Sequence, residues 1–168
     1  EEELKVKSAL LVETLSRIGK IPGRALPETG IIHGDRYMYR THASLQCDEN
    51  GIGFFRRESH HVEPFPPGGC KLLASSITDG LEDIDIPGKT ELKAAVDSKG
   101  NCHFSSGDHV AITEIENGIT YQRNIFSFFQ ANGILRSTML QVASDMCHLN
   151  EESSFIDIGC GVGFFTLY

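Results

Sequence analysis

Seven residues near the end of the chain carry the strongest pattern for binding a small molecule. They run Asp157-Ile158-Gly159-Cys160-Gly161-Val162-Gly163 and include the end of an apolar run over 155–158. Glycines at alternate positions let the backbone turn sharply and approach a ligand, because no Cβ atoms intervene. In parallel α/β sheets, ligands bind at the carboxyl ends of strands. The pattern therefore predicts a strand, a ligand-binding loop and a helix start; a tight turn without a ligand is the alternative.

The loop fits one class of cofactor better than another. Phe164 stands where the dinucleotide fingerprint needs a glycine, so a nicotinamide or flavin cofactor is disfavoured. The form Asp-x-Gly-x-Gly-x-Gly instead resembles the first motif of Rossmann-like methyltransferases. That resemblance implies S-adenosyl-L-methionine as the cofactor.

Further segments resemble, in the same order along the chain, parts of the RNA uracil-C5 methyltransferases. The segment 128–132, Phe-Phe-Gln-Ala-Asn, is similar to that family's Phe-x-Gln-x-Asn. The other matches are Glu13-Thr14-Leu15-Ser16-Arg17-Ile18-Gly19, Tyr39-Arg40, Gly53-Phe54-Phe55-Arg56-Arg57 and Ser59-His60. The matches extend along nearly the whole chain, and the ordered set is more specific than any one segment.

This resemblance implies an enzyme that transfers a methyl group from S-adenosylmethionine to C5 of a uridine in rRNA or tRNA. A cysteine thiolate adds to C6 of the base, and a general base later removes the C5 proton. Both groups are expected beyond Tyr168, so we expect the chain to be an inactive piece of a longer protein, truncated at both ends. Cys160 is not expected to be the nucleophile. The residues implied to contact the cofactor are Gln130, Asp157, Gly159, Gly161, Gly163 and Phe164.

The five cysteines do not by themselves indicate a metal site. They are odd in number, widely spread and include no Cys-x-x-Cys pair, which favours reduced thiols in the cytoplasm. The resemblance implies a [4Fe-4S] cluster in some whole proteins, with three ligands expected before Glu1 and Cys70 as the candidate fourth. Lys71 departs from the proline usual after that cysteine.

Basic side chains in the predicted central hairpin are candidates for contact with RNA. They are Arg40, His42, Arg56, Arg57 and His60. Arginine suits phosphate through paired donors, and Phe54 or Phe55 could stack on a base. Against this, the net charge is −8, and a solvated hairpin is the alternative. Two other functions stay open: a non-catalytic RNA-binding module, and a small-molecule or protein methyltransferase that shares only the glycine loop.

The surrounding pattern predicts an α+β fold. A β-rich, antiparallel central RNA-recognition domain over 29–126 follows an N-terminal helix and linker over 1–28, and the first elements of a Rossmann-like α/β methyltransferase domain occupy 127–168. Helices are predicted over 2–18, 71–81 and 134–146, and strands over 37–48, 52–57, 92–96, 102–104, 110–115, 119–122 and 155–158. Asn50-Gly51 and Asn117-Gly118 are predicted hairpin turns. The third helix is predicted to place Leu135, Met139, Val142 and Met146 on one face. No run approaches the roughly 20 apolar residues of a membrane span. Without neighbouring strands, residues after about 154 are expected to be disordered or to associate with a second copy.

Overall fold

A computed structural model describes residues 2–85, 88 and 90–168. The chain divides into two compact units, one ending at His33 and the other spanning Gly34–Tyr168. The boundary predicted between 126 and 127 therefore falls inside the second unit. No helix in the described part of the chain is long and apolar enough to cross a membrane.

The first unit is built on the predicted N-terminal helix. Helix α1 spans Glu2–Arg17, and a short 3-10 turn follows at Gly23–Ala25. Acidic residues in its first turn and Arg17 in its last suit the helix dipole. None of its side chains is buried, and apolar residues such as Leu10 are more than half exposed. Propensity and ion pairs between successive turns therefore hold this helix, rather than a core of its own.

A five-stranded antiparallel sheet forms the centre of the second unit, in the order β3-β2-β1-β4-β5. Its strands are β1 His42–Asp48, β2 Gly51–Phe55, β3 Val62–Pro64, β4 Thr90–Val96 and β5 Cys102–Ser105. The prediction of paired strands is confirmed, although β1 begins later than predicted and β3 was not predicted. The first turn is Glu49-Asn50 rather than Asn50-Gly51, because Asp48 pairs with Gly51.

One face of this sheet carries the main hydrophobic core. Alternation along β1 buries Ala43, Leu45 and Cys47. The partner strand β4 adds Leu92 and other apolar residues in register with them. Helix α2, Ser75–Leu81, covers this face and is shorter than predicted, since residues 71–74 form a turn instead.

A two-stranded hairpin covers part of the opposite face. Strands β6 Ala111–Glu116 and β7 Ile119–Asn124 join through Asn117-Gly118, as predicted, and both turn residues have positive φ. Ile112 of the hairpin and Ile125 just after it pack on Ala95 of β4. His42 pairs with Ala95 in register, so the same face of β1 carries His42 beneath the hairpin.

Helix α3, Arg136–Cys147, packs with a different face from the one predicted. Leu135, Met139, Val142 and Met146 were expected to be buried together, but Met139 and Met146 are exposed. The buried residues of the helix are Arg136 and Leu140. The prediction was wrong because an acidic side chain on β6, distant in sequence, draws Arg136 inward.

The predicted strand over 155–158 does not form. Ile156 is 83% and Ile158 is 94% exposed, and the residues from 151 onward are turns and irregular backbone. Among the described residues no strand lies beside this segment, and an apolar run without pairing partners has no ladder to join. The Rossmann-like arrangement of 127–168 stays a prediction.

Candidate functional site

A buried carboxylate organises the face of the sheet that the hairpin covers. Glu114 of β6 is 2% exposed and accepts hydrogen bonds from three side chains, those of His42, Arg123 and Arg136. We call these four residues the Glu114 cluster. Its members come from β1, β6, β7 and α3, so one anion joins four elements. Among the described residues no buried polar side-chain atom lacks a partner, so the cluster is fully hydrogen-bonded.

The two arginines divide the oxygens of the carboxylate between them. Arg123 donates from Nη2 (2.7 Å) and Nε (3.2 Å) to Oε1, while Arg136 donates from Nη1 to Oε2 (2.5 Å) and to Glu116 Oε1 (3.2 Å). His42 Nε2 lies 2.7 Å from Glu114 Oε1 and also contacts Arg123 Nη2, while its Nδ1 lies 3.1 Å from Arg136 Nη2. The carboxylate can only accept and the guanidinium can only donate, so these two contacts of Nε2 favour opposite tautomers of His42.

Burial and charge act in opposite directions on the titrating members of the cluster. Burial lowers the pKa of His42, and this outweighs the raising effect of Glu114. Burial alone would raise the pKa of Glu114, but the hydrogen bond from His42 and the charge of Arg136 outweigh it and lower the value. Glu114 is therefore ionised and His42 neutral near pH 7.

The segment 128–132 lies against this cluster through Phe129. The guanidinium carbons of Arg136 and Arg123 lie 4.7 and 5.2 Å from the centre of the Phe129 ring. On its other sides the ring meets Tyr121 (5.5 Å) and Phe164 (5.2 Å) edge-on. Phe129 therefore links the charged cluster to a small aromatic core.

That aromatic core joins the two regions of sequence predicted to contact the cofactor. Phe164 directly follows the glycine loop, and Phe129 directly precedes Gln130. The Tyr121 hydroxyl donates to the Phe164 carbonyl (3.0 Å), which fixes the end of the loop. Phe164 is 5% exposed. Its side chain therefore packs in the aromatic core, and contact of Phe164 with the cofactor stays a prediction.

The glycine loop has the backbone that its sequence predicts. Gly159, Gly161 and Gly163 have φ of 81°, 57° and 78°, in the region where side-chain-bearing residues are strained. A Cβ placed on Gly159 or Gly161 would meet nothing within 4 Å, so the main chain there is open to a ligand. Asp157, at the start of the loop, accepts a hydrogen bond from Thr166 Oγ1 (2.7 Å). These residues fit the loop of a nucleoside cofactor, although their contact with one stays a prediction.

A cleft of about 270 Å³ lies where the hairpin leaves the sheet face uncovered. Arg40 and Lys93 supply positive charge, and Phe126 and Phe128 supply exposed aromatic rings. Lys93 donates to Ser44 Oγ (2.5 Å) and Glu91 Oε1 (2.8 Å). None of the residues lining the cleft, all in the described part of the chain, is acidic. The cleft therefore suits a ligand that combines negative charge with a flat ring.

The other residues predicted to bind RNA lie in two different environments. Arg56, Arg57 and His60 are exposed in the β2–β3 turn, where the His60 ring meets Phe55 edge-on at 5.5 Å. His42, by contrast, has a side chain that is 13% exposed and bonded to Glu114. The structure thus places Arg40 and His42 at the cleft and the other three in a separate turn, and RNA contact by each stays a prediction.

Cys70 offers no cluster site within the described residues. It is a half-buried free thiol that packs beside the main core. No group of three or more His, Cys, Asp or Glu side chains in the described ranges could hold a metal ion. The described residues therefore contain no complete ligand set for an iron–sulfur cluster, and the role of Cys70 as a fourth ligand in a longer protein stays a prediction.

Several residues at the site were missed by the sequence analysis. Glu114, Arg123, Arg136, Lys93 and Phe126 were not singled out. The signal for Glu114 was present, since it interrupts the inward-facing positions of β6 beside Ile112. An acidic residue at an inward position of a strand calls for buried basic partners. The sequence could not say which arginines they are.

Comparison with known proteins adds the family context. No family model matches the sequence. Two proteins from strains of Leptospira interrogans, serovars copenhageni and Lai, each named "Uncharacterized RNA methyltransferase", are 24% identical over 187 residues, covering 99% of this chain. The chain spans 44% of the length of these relatives.

A solved structure shares the fold. The crystal structure of Pyrococcus abyssi tRNA (uracil-54, C5)-methyltransferase in complex with S-adenosyl-L-homocysteine matches 79% of this chain and 46% of that protein. The TM-score is 0.53 and the sequence identity 14%. The chain is thus similar to proteins named RNA methyltransferase, and it shares with the solved structure a mixed α/β fold with an antiparallel sheet. Methylation at uracil C5 is a property named for the Pyrococcus protein, and for this chain it is a proposal.

Proposed function

We propose that this chain is part of an RNA uracil-C5 methyltransferase, which transfers a methyl group from S-adenosylmethionine to C5 of a uridine in rRNA or tRNA. The observation that carries the proposal is the relation to proteins named RNA methyltransferase over 99% of the chain. The motif order read from the sequence supports the finer assignment to uracil C5. Because the chain spans 44% of those relatives, this activity belongs to a longer protein in the proposal.

The glycine loop and the segment 128–132 form one edge of the proposed cofactor site. Bound S-adenosylmethionine would supply the electrophilic methyl group. Gly159 and Gly161 would let the main chain approach the nucleoside, because no Cβ stands in the way. Gln130, joined to the loop through the Phe129–Phe164 contact, would present its amide to the same ligand.

The cleft and the β2–β3 turn form the proposed RNA surface. Arg40 and Lys93 would contact phosphates while Phe126 stacks on a base, a combination typical of proteins that bind single-stranded RNA. Arg56 and Arg57 would add phosphate contacts from the exposed turn. This local positive charge answers the objection from the net charge of −8, since phosphate contacts depend on the surface that meets the RNA.

Mass spectrometry of methylated RNA tests the proposed reaction. The longer protein is incubated with S-adenosylmethionine and unmodified rRNA or tRNA, and 5-methyluridine is expected in the digest. A Gly159→Val variant, strained at positive φ and blocked at the loop, is the matched control and should give no product. Methylation of another base or position would reject the uracil-C5 assignment.

A non-catalytic RNA-binding module is the second candidate, because the cleft and the basic turn could bind RNA without any catalytic group. Calorimetry separates the two candidates. Salt-sensitive RNA binding by the longer protein without any binding of S-adenosylmethionine would favour the module. Self-association through the C-terminal segment stays a prediction, and sedimentation of the 168-residue chain would test it.

A further inference from the structure

We propose that Arg136 is a positioning residue for the methyl-donor site, and that it acts by fixing the backbone of residues 129–131 with Glu114 as its buried counter-ion. The inference rests on the proposed function, because it assigns Gln130 to the donor site. It adds a residue that lies on helix α3, outside both cofactor motifs.

The guanidinium of Arg136 contacts two consecutive residues directly and a third through Thr41. Arg136 Nε donates to the Gln130 carbonyl (2.7 Å), and its guanidinium carbon lies 4.7 Å from the Phe129 ring centre. Arg136 Nη2 donates to Thr41 Oγ1 (2.5 Å), and the Thr41 amide donates to the Ala131 carbonyl (2.9 Å). These contacts hold the Phe129 ring, the Gln130 carbonyl and the Ala131 carbonyl from one side. The backbone of Gln130 therefore has little freedom to rotate.

Burial argues that this charge serves more than packing. Arg136 is 4% exposed and lies one turn before Leu140, at a position where an apolar residue would continue the buried face of α3. Replacing a buried ion pair by apolar residues is often neutral or stabilising. Stability alone therefore does not require an arginine here, whereas a hydrogen bond to the Gln130 carbonyl does require a donor.

Arg123 provides an internal control. It binds the same carboxylate, is equally buried and also contacts the Phe129 ring, but it donates to the carbonyls of Asn124 and Ser127 rather than to that of Gln130. A change at Arg123 should disturb the Glu114 cluster as much as one at Arg136. Only the change at Arg136 should release Gln130.

The experiment compares Arg136→Lys with Arg123→Lys in the longer protein. Both variants keep the positive charge beside Glu114 and lose the forked geometry of the guanidinium. Similar losses of melting temperature are expected, whereas the Kd for S-adenosylmethionine should rise about tenfold for Arg136→Lys alone, the effect of losing one hydrogen bond to a charged group. If Arg136→Lys does not fold, Thr41→Val is the second variant, because it keeps the side-chain volume. It should also raise the Kd for S-adenosylmethionine.

A double-mutant cycle with Gln130→Ala separates positioning from general damage. If Arg136 acts through Gln130, the variant carrying both changes binds the donor no more weakly than Gln130→Ala alone. Additive losses, or equal losses for Arg136→Lys and Arg123→Lys, would overturn the inference and leave the proposed function standing. If the unaltered protein fails to bind S-adenosylmethionine at all, the proposed function fails and this inference with it.

Discussion

Arginine occurs in two opposite settings within the second unit. Arg123 and Arg136 have side chains that are 0% and 5% exposed and share one buried carboxylate. In the β2–β3 turn, the side chains of Arg57 and Glu58 are 92% and 82% exposed, and Arg57 Nε lies 3.4 Å from Glu58 Oε1. The buried pair holds four elements together, while the exposed pair is solvated and free to exchange its partner for a ligand. Burial, rather than residue type, therefore decides what each arginine does.

The largest expected effect is on the buried side of this comparison. Glu114→Ala leaves two buried guanidinium groups without their counter-ion, and we expect it to lower the free energy of unfolding by about 3–5 kcal/mol. Urea denaturation followed by circular dichroism measures the loss. Glu58→Ala is the matched control and should leave the urea midpoint unchanged, because exposed pairs contribute little. Equal losses of unfolding free energy in the two variants would contradict the claim that the buried ion pair stabilises the fold more than the exposed pair.

The thiols should show the same contrast between buried and exposed positions. Burial raises the pKa of Cys102 from 9.0 to about 12, so its thiolate fraction at neutral pH falls about a thousandfold. Cys147 and Cys160 are exposed. Iodoacetamide should therefore modify these two long before Cys102, as peptide mass spectrometry over time would show. In guanidinium chloride all five should react at similar rates, and early labelling of Cys102 in the folded protein would contradict its burial.

Local patterns in the sequence predicted much of the fold. Asn117-Gly118 gave the β6–β7 hairpin, because both residues tolerate the positive φ that its turn requires. The alternating pattern over 37–48 predicted the strand β1, in which Ala43 and Leu45 are buried. These features depend on neighbours in sequence, which is why they could be read from it.

The predictions that were wrong concern features that depend on residues distant in sequence. The face of α3 was misplaced because Arg136 is held by Glu114, 22 residues away in sequence. The strand over 155–158 was predicted from its apolar composition, but a strand also needs a paired neighbour. For the site, the glycine loop was correctly read as a positive-φ turn, whereas Lys93 and Phe126 came to the cleft only through the register of β1 with β4 and the path of the chain after β7.

Acid should lower the free energy of unfolding of the second unit, because it protonates the Glu114 cluster. The loss should be smaller than that of Glu114→Ala, since protonation leaves the side chains in place. The lowered pKa of His42 means that the unfolded chain binds its proton more readily, so stability falls as the pH drops below 6.5. The lowered pKa of Glu114 adds a contribution that is present above 4.5 and is lost as the pH falls through the value in the folded protein. His42→Gln removes the titrating group but keeps an amide that can donate to Glu114, so it should abolish the first step and retain the second. Urea midpoints between pH 8 and pH 3 measure both, and an unchanged midpoint from pH 7 to pH 5.5 would contradict the role of His42.

The smallest expected effect on stability concerns an exposed arginine, which should contribute to RNA binding and not to the stability of the fold. Arg56→Gln should leave the melting temperature of the 168-residue chain unchanged, because the side chain is exposed in the β2–β3 turn. In the proposed RNA surface it should weaken binding to unmodified structured RNA several-fold, and flatten the slope of log affinity against log salt by about 0.7, the value for one phosphate contact on a single strand. Lys99→Gln removes the same charge from the exposed β4–β5 turn and should change neither quantity. If the two variants lower RNA affinity equally, the effect follows net charge, and the β2–β3 turn then has no special part in RNA binding.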